Sequence, residues 1–323
     1  MNQGFWSKLK KPIMVLAPMA DVTDPAFRRI VAKYGKPDVI WTEFVSADGM
    51  FLGGKKAYDL LVRDLTYSEE ERPIIAQMFT SDPKRMKQAA ELCNKLGFDG
   101  FDINMGCPDR SIEKQVAGSA LIKHPELAQE LILAAKEGAG NMPVSVKTRI
   151  GYTKNEIENW LPNLLKAEPA VITLHARTRK ELSKVPARWD VIKRAVEIRD
   201  ELKSDTLIFG NGDVLSLEDA KKKAKESGCD GVMVGRGIFG NPWFFNKDVN
   251  REELLPEEIL KVLVEHAHLY EELLSEKNFS VMKKHFKAYV TGWDGAKELR
   301  VKLMDTQNAS EVEELVREHL DKS

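Results

Sequence analysis

Gly100-Phe101-Asp102-Ile103-Asn104-Met105-Gly106-Cys107-Pro108 reads as a short buried strand that runs into a loop turned by a glycine and stiffened by a proline. A thiol placed at Cys107, just past the strand end, faces a cleft; one on the inner side of a helix does not. Seven other β-rich runs in the chain, at 13–19, 39–44, 74–79, 144–148, 171–175, 207–210 and 231–235, also end in polar or glycine-rich residues. Amphipathic stretches at 82–96, 125–139 and 216–227 lie between them. Asp82 before Pro83, and Ser216 two residues before Glu218, mark helix starts. Strands apolar on both faces that alternate with helices indicate a parallel sheet. Eight such units predict an α/β protein built as a (β/α)8 TIM barrel. A doubly wound open sheet is the alternative. Its dinucleotide-binding form is disfavoured because the first βα turn lacks G-x-G-x-x-G.

Beyond Phe245 the pattern changes. Stretches 254–275, 281–289 and 310–320 have helical periodicity and no strand-like run remains. The expected organisation is a catalytic barrel over residues 1–245 and a small all-helical domain over 246–323. Charge is uneven along that second part. Residues 248–276 hold nine acidic and two basic side chains, residues 277–302 seven basic and two acidic, and residues from 303 onward six acidic and two basic. The basic run is interleaved with Phe286, Tyr289 and Trp293. That composition suits an RNA-contacting surface, but taken alone it reads first as a solvated helix face with its aromatics in the core.

The 323 residues suffice for one large domain or two, and a net charge of −1 advertises no polyanionic partner. No apolar run approaches the roughly 20 residues that span a bilayer, and no secretory leader is expected. Cys93, Cys107 and Cys229 are widely spaced. This argues against a disulfide framework, a zinc site or an iron–sulfur cluster, and for a reducing cytoplasm. No metal site is expected.

In a barrel the chemistry sits at the C-terminal strand ends. Those ends carry 17–20, Glu43, Gln77, 104–107, 147–149, 175–177, 211–213 and 235–237. For any one of them a structural role serves as well: Pro18 as a turn, Gln77 as a backbone cap, His175 as a satisfied buried imidazole, Lys147 as a carboxylate's partner. Asn211-Gly212-Asp213 and Gly235-Arg236-Gly237 are more specific. They set bare backbone N–H groups next to a cation, with a helix turn starting near Ile238, where many barrels hold a phosphate. Lys147 and His175 across the mouth then suggest a phosphorylated cofactor lying over the barrel. A lysine near the N1–C2 edge of a flavin stabilises the anionic reduced ring, and Gln77 suits its pyrimidine side. The residues therefore read as an FMN barrel with a thiol poised over the flavin. Hydride from a flavin and a proton from a thiol, mostly protonated at neutral pH, together reduce an electron-poor double bond. Cys93 and Cys229 read as small buried hydrophobes.

At these residues the chain resembles the tRNA-dihydrouridine synthases. Residues 16–24 with Phe27-Arg28, residues 102–108 followed by 118–121, and 146–149, 175–179, 210–213 and 235–237 resemble the family's motifs in order. The resemblance implies an FMN enzyme that reduces the C5–C6 bond of a uridine in tRNA to 5,6-dihydrouridine, with NADPH as electron donor. Hydride would go to C6 and a proton from Cys107 to C5. It implies FMN contacts from Pro18, Met19, Ala20, Gln77, Lys147, His175, Asn211, Gly212, Asp213, Gly235 and Arg236. Asn104, Arg177, Arg179, Lys283, Lys284 and Lys287 are the expected contacts to the RNA substrate, with Lys180, Lys184 and Arg188 as further phosphate candidates. Ala176 stands where many members carry glycine, and Asp109-Arg110-Ser111 is an uncommon continuation. No double-stranded-RNA-binding domain or zinc finger is visible, which fits the bacterial type, here expected as a cytoplasmic monomer. Two other readings remain open: an FMN barrel acting on a free pyrimidine, and an RNA-binding protein without catalysis.

Overall fold

Eight parallel strands close on themselves in sequence order in the computed structural model, which describes residues 3–322. They are β1 (Ile13–Leu16), β2 (Val39–Ser46), β3 (Ile74–Phe79), β4 (Gly100–Met105), β5 (Val144–Arg149), β6 (Val171–His175), β7 (Leu207–Asn211) and β8 (Gly231–Val234). Closure is made by β8 against β1, with Ile13 opposite Gly231 and Leu16 opposite Val234. The helices between them are α1 (Pro25–Tyr34), α2 (Ala47–Leu52), α3 (Gly54–Asp64), α4 (Pro83–Lys95), α5 (Arg110–Glu113), α6 (Pro125–Ala139), α7 (Ile157–Leu165), α8 (Trp189–Glu201) and α9 (Leu217–Ser227). Their starts are written locally. Asp24 accepts from Phe27 N–H ahead of Pro25, Asp82 from Lys84 and Arg85 N–H ahead of Pro83, and Ser216 from Asp219 N–H.

Strand alternation decides what each face does. Ile13, Val15, Trp41, Ile75, Val171 and Phe209 share one buried cluster inside the barrel; Met14, Leu16, Ile74, Ile172 and Ile208 join the cluster under the surrounding helices. Trp6, from a 3-10 turn at Gly4–Lys8, belongs to the inner cluster, edge-on to Phe209 at 5.5 Å. Two residues further along several strands, the same inward face becomes polar: Ile75 gives way to Gln77, Val171 to Thr173 and His175, and Phe209 to Asn211, while on β5 Ser145 is followed by Lys147. The inner cluster therefore lies on the N-terminal side of this polar layer.

The chain after β8 forms α10 (Pro256–Leu273), α11 (Lys283–Tyr289), α12 (Ala296–Leu303) and α13 (Ala309–Leu320). Their apolar faces make a separate cluster that also takes in Ala26 and Ile30 of α1, and Trp243. The expected helix at 281–289 starts instead with a 3-10 turn, Phe279–Met282, before α11. α12 lies inside the basic run, where charge obscured its periodicity. Ion pairs tie this region to the β2 side of the barrel: Lys277 to Asp64 at 2.7 Å and to Glu43 at 3.7 Å, and Arg63 to Glu276 at 2.5 Å. None of the described helices is long and apolar enough to cross a membrane.

Candidate active site

A cavity of about 480 Å³ opens at the C-terminal strand ends, a volume that suits a cofactor-sized ligand. Pro18, Met19, Lys147, His175, Asn211, Gly212, Asp213, Gly235 and Arg236 all line it. Ala20 is exposed in the turn after β1, outside the lining, and Gln77 lies deeper, fully buried on β3. Ser183, Leu215 and Met233 line the cavity as well. Sequence reading passed over them because a lone serine in a loop or a methionine in a strand carries no chemical signal. The helix turn expected near Ile238 is a single 3-10 turn, Arg236–Ile238.

Charge in the cavity is strongly biased. The Lys147 ammonium makes no hydrogen bond or ion pair with the described residues. Burial, with Arg149 adding to it, pulls its ammonium down to about 8. Burial first, then the cations Arg149, Lys147 and Arg177, push His175 well below the usual imidazole range, so its ring is neutral. Arg177 Nη1 lies 3.1 Å from His175 Nε2. A guanidinium only donates, so Nε2 accepts and the ring proton sits on Nδ1. The Asp213 carboxylate is held below the ordinary range by Arg177, which pairs with it; it also accepts from Ala187 N–H at 2.8 Å and lies 3.2 Å from Arg236. That leaves the Asp213 backbone and the exposed head of Arg236 to meet a ligand.

Cys107 is fixed by its backbone. Asn104 Oδ1 accepts from Gly106 N–H at 3.1 Å and Cys107 N–H at 2.9 Å. The Cys107 carbonyl accepts from the Ser119 N–H and hydroxyl, both at 2.9 Å. Arg149 Nε donates to Gly106 O at 2.8 Å and Thr148 Oγ1 to Met105 O at 2.9 Å. Gly106 is needed for close approach: a Cβ there would lie 3.2 Å from the Thr148 backbone. The thiol is half-buried against Phe79, Ile112 and Ala117, and burial pushes it above the ordinary thiol range. Lys147 and Arg149 are close enough to oppose that rise. Cys93 and Cys229 are buried, as their sequence context implied.

Behind this lies a polar floor. Asp102, fully buried, accepts from Ser145 Oγ at 2.5 Å and Gln77 Nε2 at 2.6 Å, and burial raises its carboxyl to about 6. Gln77 Oε1 is buried with no partner among the described residues. An acceptor left this way suits an imide N–H.

The expected RNA contacts divide. Arg177 is buried at 2% exposure; it donates to Val185 O at 2.5 Å as well as pairing with Asp213, so it braces the site from inside. Arg179 pairs with Glu113, whose Oε1 lies 3.0 Å from Ser119 Oγ and shares that hydroxyl's single proton with the Cys107 carbonyl; this connects Arg179 to the Cys107 loop. Asn104 spends its carbonyl on the same loop. Lys284 and Lys287 are exposed on α11 and Lys283 is half-exposed. Lys284 reaches to 3.8 Å from Asp21, in the turn after β1, which places α11 beside the strand-end rim. Phe286 and Tyr289 are fully buried, so they stabilise the helices and offer no stacking surface. Arg188 pairs with Glu181 at 2.7 Å.

The family model described as dihydrouridine synthase matches residues 15–323. A protein of Bacillus subtilis (strain 168), "Probable tRNA-dihydrouridine synthase 2", is 41% identical over 319 residues, covering 98% of this chain and 96% of that protein. A "Probable tRNA-dihydrouridine synthase" of Staphylococcus aureus (strain COL) is 40% identical over 321 residues with the same coverage. Among solved structures, histamine dehydrogenase from Rhizobium sp. 4-9 superposes with a TM-score of 0.55 at 13% identity, over 79% of this chain and 48% of that one. Morphinone reductase in complex with tetrahydroNAD gives 0.51 at 13% identity, over 72% and 85%. At such identities these two carry the fold alone.

Proposed function

The chain belongs to the dihydrouridine synthase family, and we propose that it reduces the C5–C6 double bond of a uridine in tRNA, with FMN as cofactor and NADPH as electron source. The residues fit FMN: a cavity of cofactor size, an unpaired lysine within it, an exposed arginine beside glycine backbone, and an orphaned amide oxygen on Gln77. In this reading Lys147 would hold the N1–C2 edge of the ring, Gln77 its imide, and Asn211–Asp213 with Gly235 and Arg236 the phosphate. FMN held there would supply the hydride for C6 of the uracil.

The observation that carries the proposal is the placement of Cys107. Its thiol is half-buried, on a loop held by hydrogen bonds to Gly106 and Cys107 N–H and to the Met105, Gly106 and Cys107 carbonyls, and within electrostatic reach of Lys147 and Arg149; burial raises it above the ordinary thiol range. A general acid needs its proton before the step and stabilisation of its conjugate base afterwards. Burial secures the first; the two cations stabilise the thiolate that remains when the proton has gone to C5. His175, neutral and with Nε2 accepting from Arg177, keeps its ring proton on Nδ1.

We assign residues 246–323 to gripping the RNA, with Lys283, Lys284 and Lys287 as phosphate contacts on α11. A uridine stacked within folded RNA must be pulled out to reach the strand ends, and a basic helix beside that rim holds the backbone while it turns. Arg179 is reassigned from RNA contact to positioning the Cys107 loop. Incubating the purified protein with FMN, NADPH and unmodified tRNA, followed by nucleoside mass spectrometry, tests the proposal. Dihydrouridine at a defined position supports it. NADPH oxidation with unchanged tRNA but reduction of free uracil moves the substrate to a free pyrimidine.

A further inference from the structure

A second cavity, about 460 Å³, shares no lining residue with the first. It is built from the residues that precede β1 and β2, at the opposite strand ends from Cys107, with the flank of α9 and the chain after β8. Five lysines line it: Lys10, Lys11, Lys36, Lys221 and Lys247. Lys11 pairs with Asp230 at 2.6 Å. The ammonium groups of the other four make no ion pair or hydrogen bond with the described residues. One carboxylate, Asp38, belongs to the lining, and its Oδ2 already accepts from Met14 N–H at 2.7 Å. Two acids thus answer five ammonium groups. The floor is apolar, made by Met14, Leu217 and Phe245.

Five like charges around one concavity repel one another, and solvent and salt screen but do not remove that cost. A multiply charged anion removes it. The volume is that of a small-molecule site; a surface that tracks an RNA backbone is an open groove along a strand. Met14, Leu217 and Phe245 are buried, so their exposed edges set the apolar contact that a ring or ribose next to the charge would make. We propose that this cavity binds a compact polyphosphate of the nucleoside di- or triphosphate class, with the phosphates among the lysines and the nucleoside on Met14, Leu217 and Phe245. The site is independent of the FMN reading and lies outside the catalytic machinery.

The test is calorimetric titration of the FMN-saturated protein with inorganic triphosphate and, separately, ATP, for the natural chain and for Lys36→Gln/Lys221→Gln. Both lysines are exposed, so the variant folds, which its melting curve checks. The expected result is one-site binding that weakens as salt rises and at least tenfold in the double variant, with dihydrouridine formation unchanged by the substitutions. Tighter binding of ATP than of triphosphate supports nucleoside contact with the floor; equal binding supports a site for the phosphates alone. Absence of binding by either anion, or binding that the variant leaves intact, overturns the proposal. So does a tenfold loss of tRNA affinity in the variant without any triphosphate binding, which makes the cavity part of an RNA surface.

Discussion

Gly118→Ala tests whether the position of Cys107 is what the surrounding network sustains. Gly118 has φ +60°, and a Cβ there would stand 2.7 Å from the Cys107 carbonyl oxygen and 2.9 Å from Ile112 Cγ2. Left-handed backbone costs alanine about 1–2 kcal/mol. The contact to the carbonyl is well inside van der Waals distance, so one backbone must yield. Ser119 N–H and Oγ hold that carbonyl at 2.9 Å each, so displacement strains both bonds and carries Cys107 with it. Together these amount to about 2–4 kcal/mol of stability, in the range of single substitutions that act by a named clash. A shift of the acid by about 1 Å lowers turnover up to about 100-fold. The assays are melting temperature, FMN absorbance on the purified variant, and initial rate of dihydrouridine formation. Retained flavin, a lowered melting temperature and a rate reduced at least tenfold are expected. A variant that turns over at the natural rate would refute the view that this braced loop positions the acid.

Cys107→Ala retains FMN and tRNA binding but loses most turnover, measured by single-turnover dihydrouridine formation. Burial holds the Lys147 ammonium down to about 8 in the ligand-free protein, and the anionic reduced ring of FMN favours its charged form. Affinity for reduced FMN is therefore full below pH 8 and falls as the pH rises past it, with proton uptake on binding at pH 8–9 visible as a buffer-dependent heat; Lys147→Met removes that dependence. Lys283→Glu with Lys287→Glu weakens tRNA binding and flattens its dependence on salt, because fewer counterions are released from the RNA. A salt series with unchanged slope would place the RNA elsewhere. Arg179→Ala lowers kcat through the Glu113–Ser119 link to the Cys107 loop while leaving the affinity for tRNA near its natural value.

The barrel was legible because buried parallel strands are continuous apolar runs and their ends change abruptly to polar residues; β3 and β6 match their expected bounds at 74–79 and 171–175. β1 was expected three residues longer, because Ala17-Pro18-Met19 is as apolar as a strand, yet it turns at the proline. Which strand-end residues line the cavity follows from period two along each strand. What period two does not give is the far end of each brace. Glu113 and Arg179 meet across 66 residues of chain, and Arg177 and Asp213 across 36. No local pattern in the sequence marks those pairs, and so Arg177, expected as a contact to the RNA, is instead buried against Asp213. The aromatics of the basic run allowed two readings, a stacking surface and a helix core. The residues taken alone favoured the core, and in the structure Phe286 and Tyr289 lie there.

The most direct measurement is anaerobic mixing of the enzyme, reduced beforehand with one equivalent of NADPH, with unmodified tRNA, for the natural chain and for Cys107→Ala. The account predicts that the natural chain returns to its oxidised absorbance while forming one dihydrouridine per active site, and that the variant stays reduced with uridine intact. Reoxidation and dihydrouridine formation at equal rates in both would contradict the assignment of Cys107 as the acid, and with it the central claim.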